Sequence, residues 1–219
     1  MLESFRSGAF TYNKLTPEEQ KARGILGRLV GVIADFKNPT RNGRRYTEQL
    51  WDHVFDNEIM KEKIKNRLCF GELSHPTERT EVDPEKIAIC LAEQPKKGDD
   101  GKLYGCFDIL DTPSGRILKT LCDYGTQIGV SSRGQGDTEI DENGEEKVVE
   151  DTYECECFDA VLIPAVKEAR PKYVTESLNT QKSLLESLNK LVEEADEKDK
   201  EVMEETIKNL NLETETEGS

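Results

Sequence analysis

Between residues 25 and 163 the chain is cut into mostly short apolar runs, each closed by glycine, proline or a charged turn. Segments of that length, roughly five to ten residues, suit strands and are too short for the long amphipathic helices of a bundle. Residues 25–34 read as a buried strand, and 68–73, 86–92 and 103–110 have strand length and apolar content. Residues 128–132 are brief and glycine-bounded, 148–163 form a long strand-like run, and 135–146 read as a polar hairpin loop between them. Two helices interrupt the strands. Thr47 caps a run in which Leu50, Trp51, Val54, Phe55, Ile59 and Met60 recur at helical spacing. Thr112-Pro113 opens the other, with Ile117, Leu118, Leu121 and Tyr124 as its apolar stripe and Gly125 as its stop. The expected class is α+β.

Of the 219 residues 35% are hydrophobic and 34% charged, too polar a balance for a chain buried along its whole length. Much of the polarity lies at one end: residues 175–219 hold 13 acidic and 5 basic side chains, about half of the formal net charge of −15. There Leu178, Leu185, Leu188, Val192, Val202, Ile207 and Leu210 make the thin stripe of a charged helix. Three parts are therefore expected: a loose arm over 1–24, one functional domain over 25–170, and an acidic helical tail over 171–219. An acidic surface repels phosphate backbones, which argues against nucleic-acid partners. No apolar run approaches the roughly 18 residues of a membrane span, and no secretory signal opens the chain, so a soluble intracellular protein is expected. Six dispersed cysteines in that setting read as reduced thiols, and two histidines are too few to suggest a zinc site.

Three segments place a reactive side chain beside turn-forming residues at a strand end: Gly71-Glu72-Leu73-Ser74-His75-Pro76, Gly129-Val130-Ser131-Ser132-Arg133-Gly134, and residues 158–164 around Asp159. Pro76 holds His75 in extended backbone after an apolar strand, as a cleft-facing imidazole needs, whereas His53 sits inside a helical run that explains it structurally. Glycines around Ser131 and Ser132 let backbone approach a substrate and aim amides at an oxyanion. Arg133 adds a fixed charge that could order an oxyanion water or anchor a carboxylate. A serine needs an imidazole to take its proton, and the imidazole needs a third group to fix its tautomer. Asp159 lies in an apolar run where an unpaired carboxylate would be costly, so it should have a cationic or hydrogen-bonding partner. Asp83, in an Asp-Pro turn, is the other candidate for that third group.

Taken in order, these segments resemble the serine proteases of tailed-phage proheads, a family related in fold to the herpesvirus assemblins. The likeness runs from about Leu26 to Pro164. It rests on Asn42-Gly43-Arg44-Arg45-Tyr46, similar to an Asn-x-Arg-x-Tyr motif, on the boxes at 71–76 and 129–134, and on Val82-Asp83-Pro84. The resemblance implies a small closed or nearly closed β-barrel surrounded by helices. It implies His75 as catalytic histidine, Ser131 as nucleophile with Ser132 as the alternative, Asp159 in the third place, and support from Ser132, Arg133 and Gly134. No metal or organic cofactor is implied. The expected setting is the assembling prohead in the host cytoplasm, and the expected partners are the scaffold proteins and the major capsid protein, with self-association as a further contact. Relatives cut after Glu in a Leu-or-Ile, any residue, Glu pattern, which Leu184-Leu185-Glu186, Leu191-Val192-Glu193 and Leu91-Ala92-Glu93 match, so self-cleavage is expected too. The competing reading is a catalytically silent scaffold or core protein that binds capsid protein through its acidic helix. A small-molecule esterase would carry a Gly-x-Ser-x-Gly elbow, which Ser131 lacks.

Overall fold

A computed structural model describes residues 12–175 of the chain. Within the stretch expected as a loose arm, the Thr16 hydroxyl accepts from the Glu19 amide at 3.2 Å and the Glu19 carboxylate accepts from the Thr16 amide at 2.9 Å. This reciprocal cap, with proline next in line, starts a short helix, α1 (Pro17–Ala22), so residues 12–24 are ordered rather than loose. Asn13 is tied down as well, donating to Glu93 from its amide at 3.0 Å and from its side chain at 2.6 Å. The expected tail helix and the cleavage motifs at 184–186 and 191–193 lie outside the described residues.

The chain continues through β1 (Ile25–Asp35), β2 (Arg44–Arg45), α2 (Glu48–Asp56), α3 (Glu58–Lys65), β3 (Phe70–Glu72), β4 (Ile87–Leu91), β5 (Lys96–Lys97) and β6 (Lys102–Leu110). It ends in α4 (Pro113–Asp123), β7 (Gly129–Gln135), β8 (Thr138–Ile140), β9 (Glu146–Val148), β10 (Glu154–Val161) and β11 (Lys172–Val174). The expected single helix after Thr47 is two helices. The Asn57 side chain accepts from the Ile59 amide at 2.8 Å, capping α3 anew, and the change of axis leaves Ile59 exposed. Likewise β10 starts only at Glu154, because a 3-10 turn at Glu150–Thr152 intervenes.

Six strands form one sheet in the order β11-β1-β6-β4-β3, with β5 on β6; β10 pairs with β7, and β2, β9 and β8 form a third small sheet. Among the described residues these sheets do not close into the expected closed or nearly closed barrel. The two-stranded sheet touches the edge of the large one through a parallel bridge between Leu73 and Ala160 and the Ser74 amide bond to the Ala160 carbonyl, 2.7 Å. On its other side, where a barrel would close, residues 162–171 intervene between β10 and β11, and Pro164 and Pro171 within them have no amide to donate. The Val130 amide reaches the Ala169 carbonyl at 2.9 Å, and no ladder joins β7 to β11 among the described residues.

One core serves both sheets. Phe158 of β10 is buried against Trp51 and Phe55 of α2 and Phe107 of β6, with ring centroids 5.8, 6.3 and 5.9 Å apart, spacings at which aromatic pairs attract beyond area burial. Strand β3 can come this close to β10 because position 71 has no side chain: a Cβ there would overlap the Phe158 carbonyl oxygen and stand 3.1 Å from Ile89 Cγ1. Gly71→Ala is expected to destabilise the protein by about 3 kcal/mol, the upper range for overpacking against backbone. Chemical denaturation would read this as a lower midpoint, and an unchanged midpoint would mean that the two strands are not in contact.

Candidate active site

Strand β3 ends at Glu72, and Ser74 then takes a φ of 75°, a left-handed conformation that is costly for a residue with a side chain. The turn is held by the Ser74 amide on Ala160 and carries His75 back over β10. His75 Nδ1 lies 2.7 Å from Asp159 Oδ2. A carboxylate can only accept, so this contact places a proton on Nδ1, and in the neutral imidazole the lone pair then lies on Nε2, where a general base needs it.

In the β7–β10 ladder Asp159 is directly opposite Ser131, and Phe158 opposite Ser132. Directly paired residues share a face of the sheet, and successive residues alternate. Ser131, Arg133, Cys157 and Asp159 therefore occupy one face, while Ser132 shares the other with Phe158. Ser132 hydrogen-bonds Tyr153, whose phenol is pushed well above its usual range by burial in spite of that bond. His75, Ser131 and Ser132 all line a cavity of about 430 Å³, walled by Ile33, Trp51, Tyr46 and Pro164 among others. Arg41 is the one lysine or arginine in that lining; its Nε donates to the Pro164 carbonyl at 3.1 Å, and no carboxylate pairs with it among the described residues.

Asp159 is fully buried and has the partners its apolar setting demands. Oδ1 accepts from the Glu72 amide at 2.7 Å and from Arg133 Nη2 at 3.1 Å. Arg133 Nε makes a further ion-pair contact of 2.9 Å with Oδ2, without the alignment of a hydrogen bond. The guanidinium is thus committed to carboxylates: Nη2 also reaches Glu72 at 3.2 Å, and Nη1 donates to the Glu81 carbonyl at 3.0 Å. Of the two roles the sequence suggests for Arg133, the side chain occupies the carboxylate-anchoring one. Gly134 packs beneath Tyr153, where a Cβ would stand 2.9 Å from the ring, so close packing accounts for the glycine.

Glu72 is a site residue that the sequence reading passes over. It is as buried as the core, and Arg79 clasps its carboxylate from both sides, at 2.6 and 2.8 Å, while the Asp83 amide donates at 2.8 Å. Burial alone would raise its pKa; Arg79, the Asp83 amide and Arg133 outweigh that and hold it at about 2. The other candidate for the third group, Asp83, does not meet His75. It caps the turn at Pro84–Lys86 by accepting from the Glu85 amide at 3.0 Å. The Asn42–Tyr46 motif serves the cavity wall: Arg44 and Arg45 pair with Glu146 and Glu145 at 3.2 and 2.7 Å, which sets Tyr46 at the cavity edge-on to Tyr153, 5.5 Å away. Cys69, Cys90, Cys106, Cys122, Cys155 and Cys157 are all free thiols.

Among the described residues no group of three or more His, Cys, Asp and Glu side chains is arranged to hold a metal, and no helix is long and apolar enough to cross a membrane. No curated protein matches the chain significantly. The solved structure of the bacteriophage T4 capsid assembly protease resembles it in fold, with a TM-score of 0.55 and 24% identity over 61% of this chain and 80% of that one. Residues 13–179 match the family profile described as prohead core protein serine protease, and the chain belongs to that family, making it a serine protease of phage capsid maturation.

Proposed function

We propose that the chain is an endopeptidase in which Ser131 attacks the peptide carbonyl, His75 takes its proton, and Asp159 holds the imidazole. The observation that carries the reading is the 2.7 Å contact of His75 with Asp159, beside a serine that faces Asp159 across the ladder and lines the same cavity. The steps follow from it. His75 Nε2 accepts the Ser131 proton as the hydroxyl oxygen bonds to the carbonyl carbon, and the resulting imidazolium is stabilised by the buried carboxylate. The same proton then passes to the leaving amine, an acyl-enzyme remains, and water attacks it with His75 again as base. General-base assistance of this kind is worth roughly 100- to 10,000-fold.

The substrates in this reading are segments of scaffold and major capsid protein inside the assembling prohead, and the chain itself. Cleavage follows Glu, supported by Arg41 as the cationic side chain of a cavity otherwise walled by apolar and neutral groups and Asp35, whose carboxylate is occupied by the Lys37 and Asn38 amides at 2.8 and 2.9 Å. The test is labelling with a serine-directed fluorophosphonate followed by peptide mapping, together with cleavage of a matched peptide pair carrying Glu or Gln at the cut site. Label on Ser131 and a preference for the Glu peptide are expected. Label on Ser132 would move the nucleophile, and a protein neither labelled nor active beside its capsid and scaffold partners would favour the silent scaffold reading.

A further inference from the structure

The buried carboxylate behind His75 is the end of a chain of four alternating charges. Arg79 clasps Glu72, Glu72 meets Arg133, and Arg133 meets Asp159. A triad needs only the last of these. Moreover, an arginine against Asp159 works against the histidine: the pair is close to neutral, so an imidazolium formed beside it gains little. Glu72 removes that conflict. Its side chain balances the Arg133 guanidinium, and its amide donates 2.7 Å to Asp159 from the same residue. We propose that Glu72 and Arg133 are positioning residues that together set the strength of His75 as a base. Arg133 fixes the Asp159 carboxylate in one orientation, and Glu72 cancels the charge that this fixing introduces. Arg79 anchors Glu72 from a side chain that is 27% exposed, so water screens much of its own opposing charge.

The proposal rests on the reading of His75 as the base. The other groups around the imidazole are fixed bystanders. On β10, burial and Asp159 keep the Cys157 thiol neutral by raising its pKa. On β7, Ser131 and Ser132 are uncharged. Beyond β3, Asp83 is bound into its turn, 3.9 Å from both Arg79 and Lys86. Across the cavity stand Arg41, Asp35, capped by backbone amides, and Tyr46, whose phenol burial keeps neutral. Of these, Asp83 alone touches the replaced residues, through its amide on Glu72 and its 3.9 Å ion pair with Arg79, and the Glu85 amide holds its carboxylate in the turn in either variant.

The sequence has two histidines, so His53→Gln leaves one imidazole signal to follow by NMR, and Ser131→Ala in the same protein prevents self-cleavage during the titration. In that background Glu72→Gln removes a negative charge at constant shape, and His75 is expected to titrate about one pH unit lower. Arg79→Gln removes a positive charge, and His75 is expected to titrate about half a unit higher. Opposite signs are the signature, because a loosened structure would move both variants the same way. Shifts of the same sign, or no shift in Glu72→Gln, would overturn the proposal. If the buried Glu72→Gln variant does not fold, the partly exposed Arg79 decides alone, and no upward shift there overturns it. With Ser131 restored, the acid limb of kcat/KM should move with each NMR value. Limbs that stay put while the NMR values move would sink the assignment of His75 as base and leave the charge chain intact.

Discussion

Ser131→Ala is expected to lower kcat/KM about a million-fold, to the residue of activity that binding and oxyanion donors supply by themselves. Ser132→Ala is expected to keep activity within about tenfold, since that hydroxyl serves Tyr153 on the opposite face of β7 and not the imidazole. The difference between adjacent serines is a difference of strand parity: Ser131 shares its face with Asp159, and Ser132 shares the other with Phe158. Both substitutions remove only a hydroxyl, so thermal midpoints should stay within a few degrees of wild type. Intact-mass analysis and peptide cleavage, run on the two variants side by side, read the result. A silent Ser132→Ala beside an active Ser131→Ala would transfer the nucleophile to the face shared with Phe158 and remove the support that ladder geometry gives to the proposed mechanism.

Asp159→Asn should cost about four orders of magnitude in kcat/KM. The amide of asparagine can donate to Nδ1, which would place the imidazole proton on Nε2 and leave no lone pair toward the serine. The charge that steadies the imidazolium is lost with it, and Arg133 keeps only Glu72 as a carboxylate partner. Asp83→Asn is the matched control. Its side chain caps a turn, and that variant is expected to retain activity within a few-fold. Steady-state kinetics on the two variants, with circular dichroism at the assay temperature to show that both are folded, checks the assignment. Near-normal activity in Asp159→Asn would mean that the 2.7 Å contact to His75 orients nothing of consequence.

Much of this architecture is legible residue by residue. The caps at Thr47 and Thr112 fix where α2 and α4 begin, because a hydroxyl that accepts an orphan amide marks the spot in the sequence itself. Two further signals are equally local. Thr16-Pro17-Glu18-Glu19 spells a capping box inside the supposed arm, and Asn57 spells a second cap inside the supposed single helix. Asp159 announces itself as a carboxylate in an apolar run, and Glu72 carries the same signal between Gly71 and Leu73. What the chain does not spell out is who meets whom. Glu72 and Arg133 are 61 residues apart and Glu72 and Asp159 are 87 apart, so their meeting depends on the register of β7 with β10 and on the approach of β3. Whether the strands close into a barrel is non-local for the same reason, since it turns on whether β7 pairs with β11 across the segment 162–171 and not on any strand's own pattern.

The bridge from Leu73 to Ala160 means that the proposed catalytic residues belong to two sheets: His75 rides on the rim of the large one, while Ser131 and Asp159 share a separate two-stranded pair. Parting the two sheets would break the Ser74–Ala160 bond and the ion-pair cluster and would also pull Phe158 away from Trp51, Phe55 and Phe107 in the shared core. The site should therefore be lost in the same cooperative transition as the fold, with activity and the spectroscopic signal of folding falling together on heating.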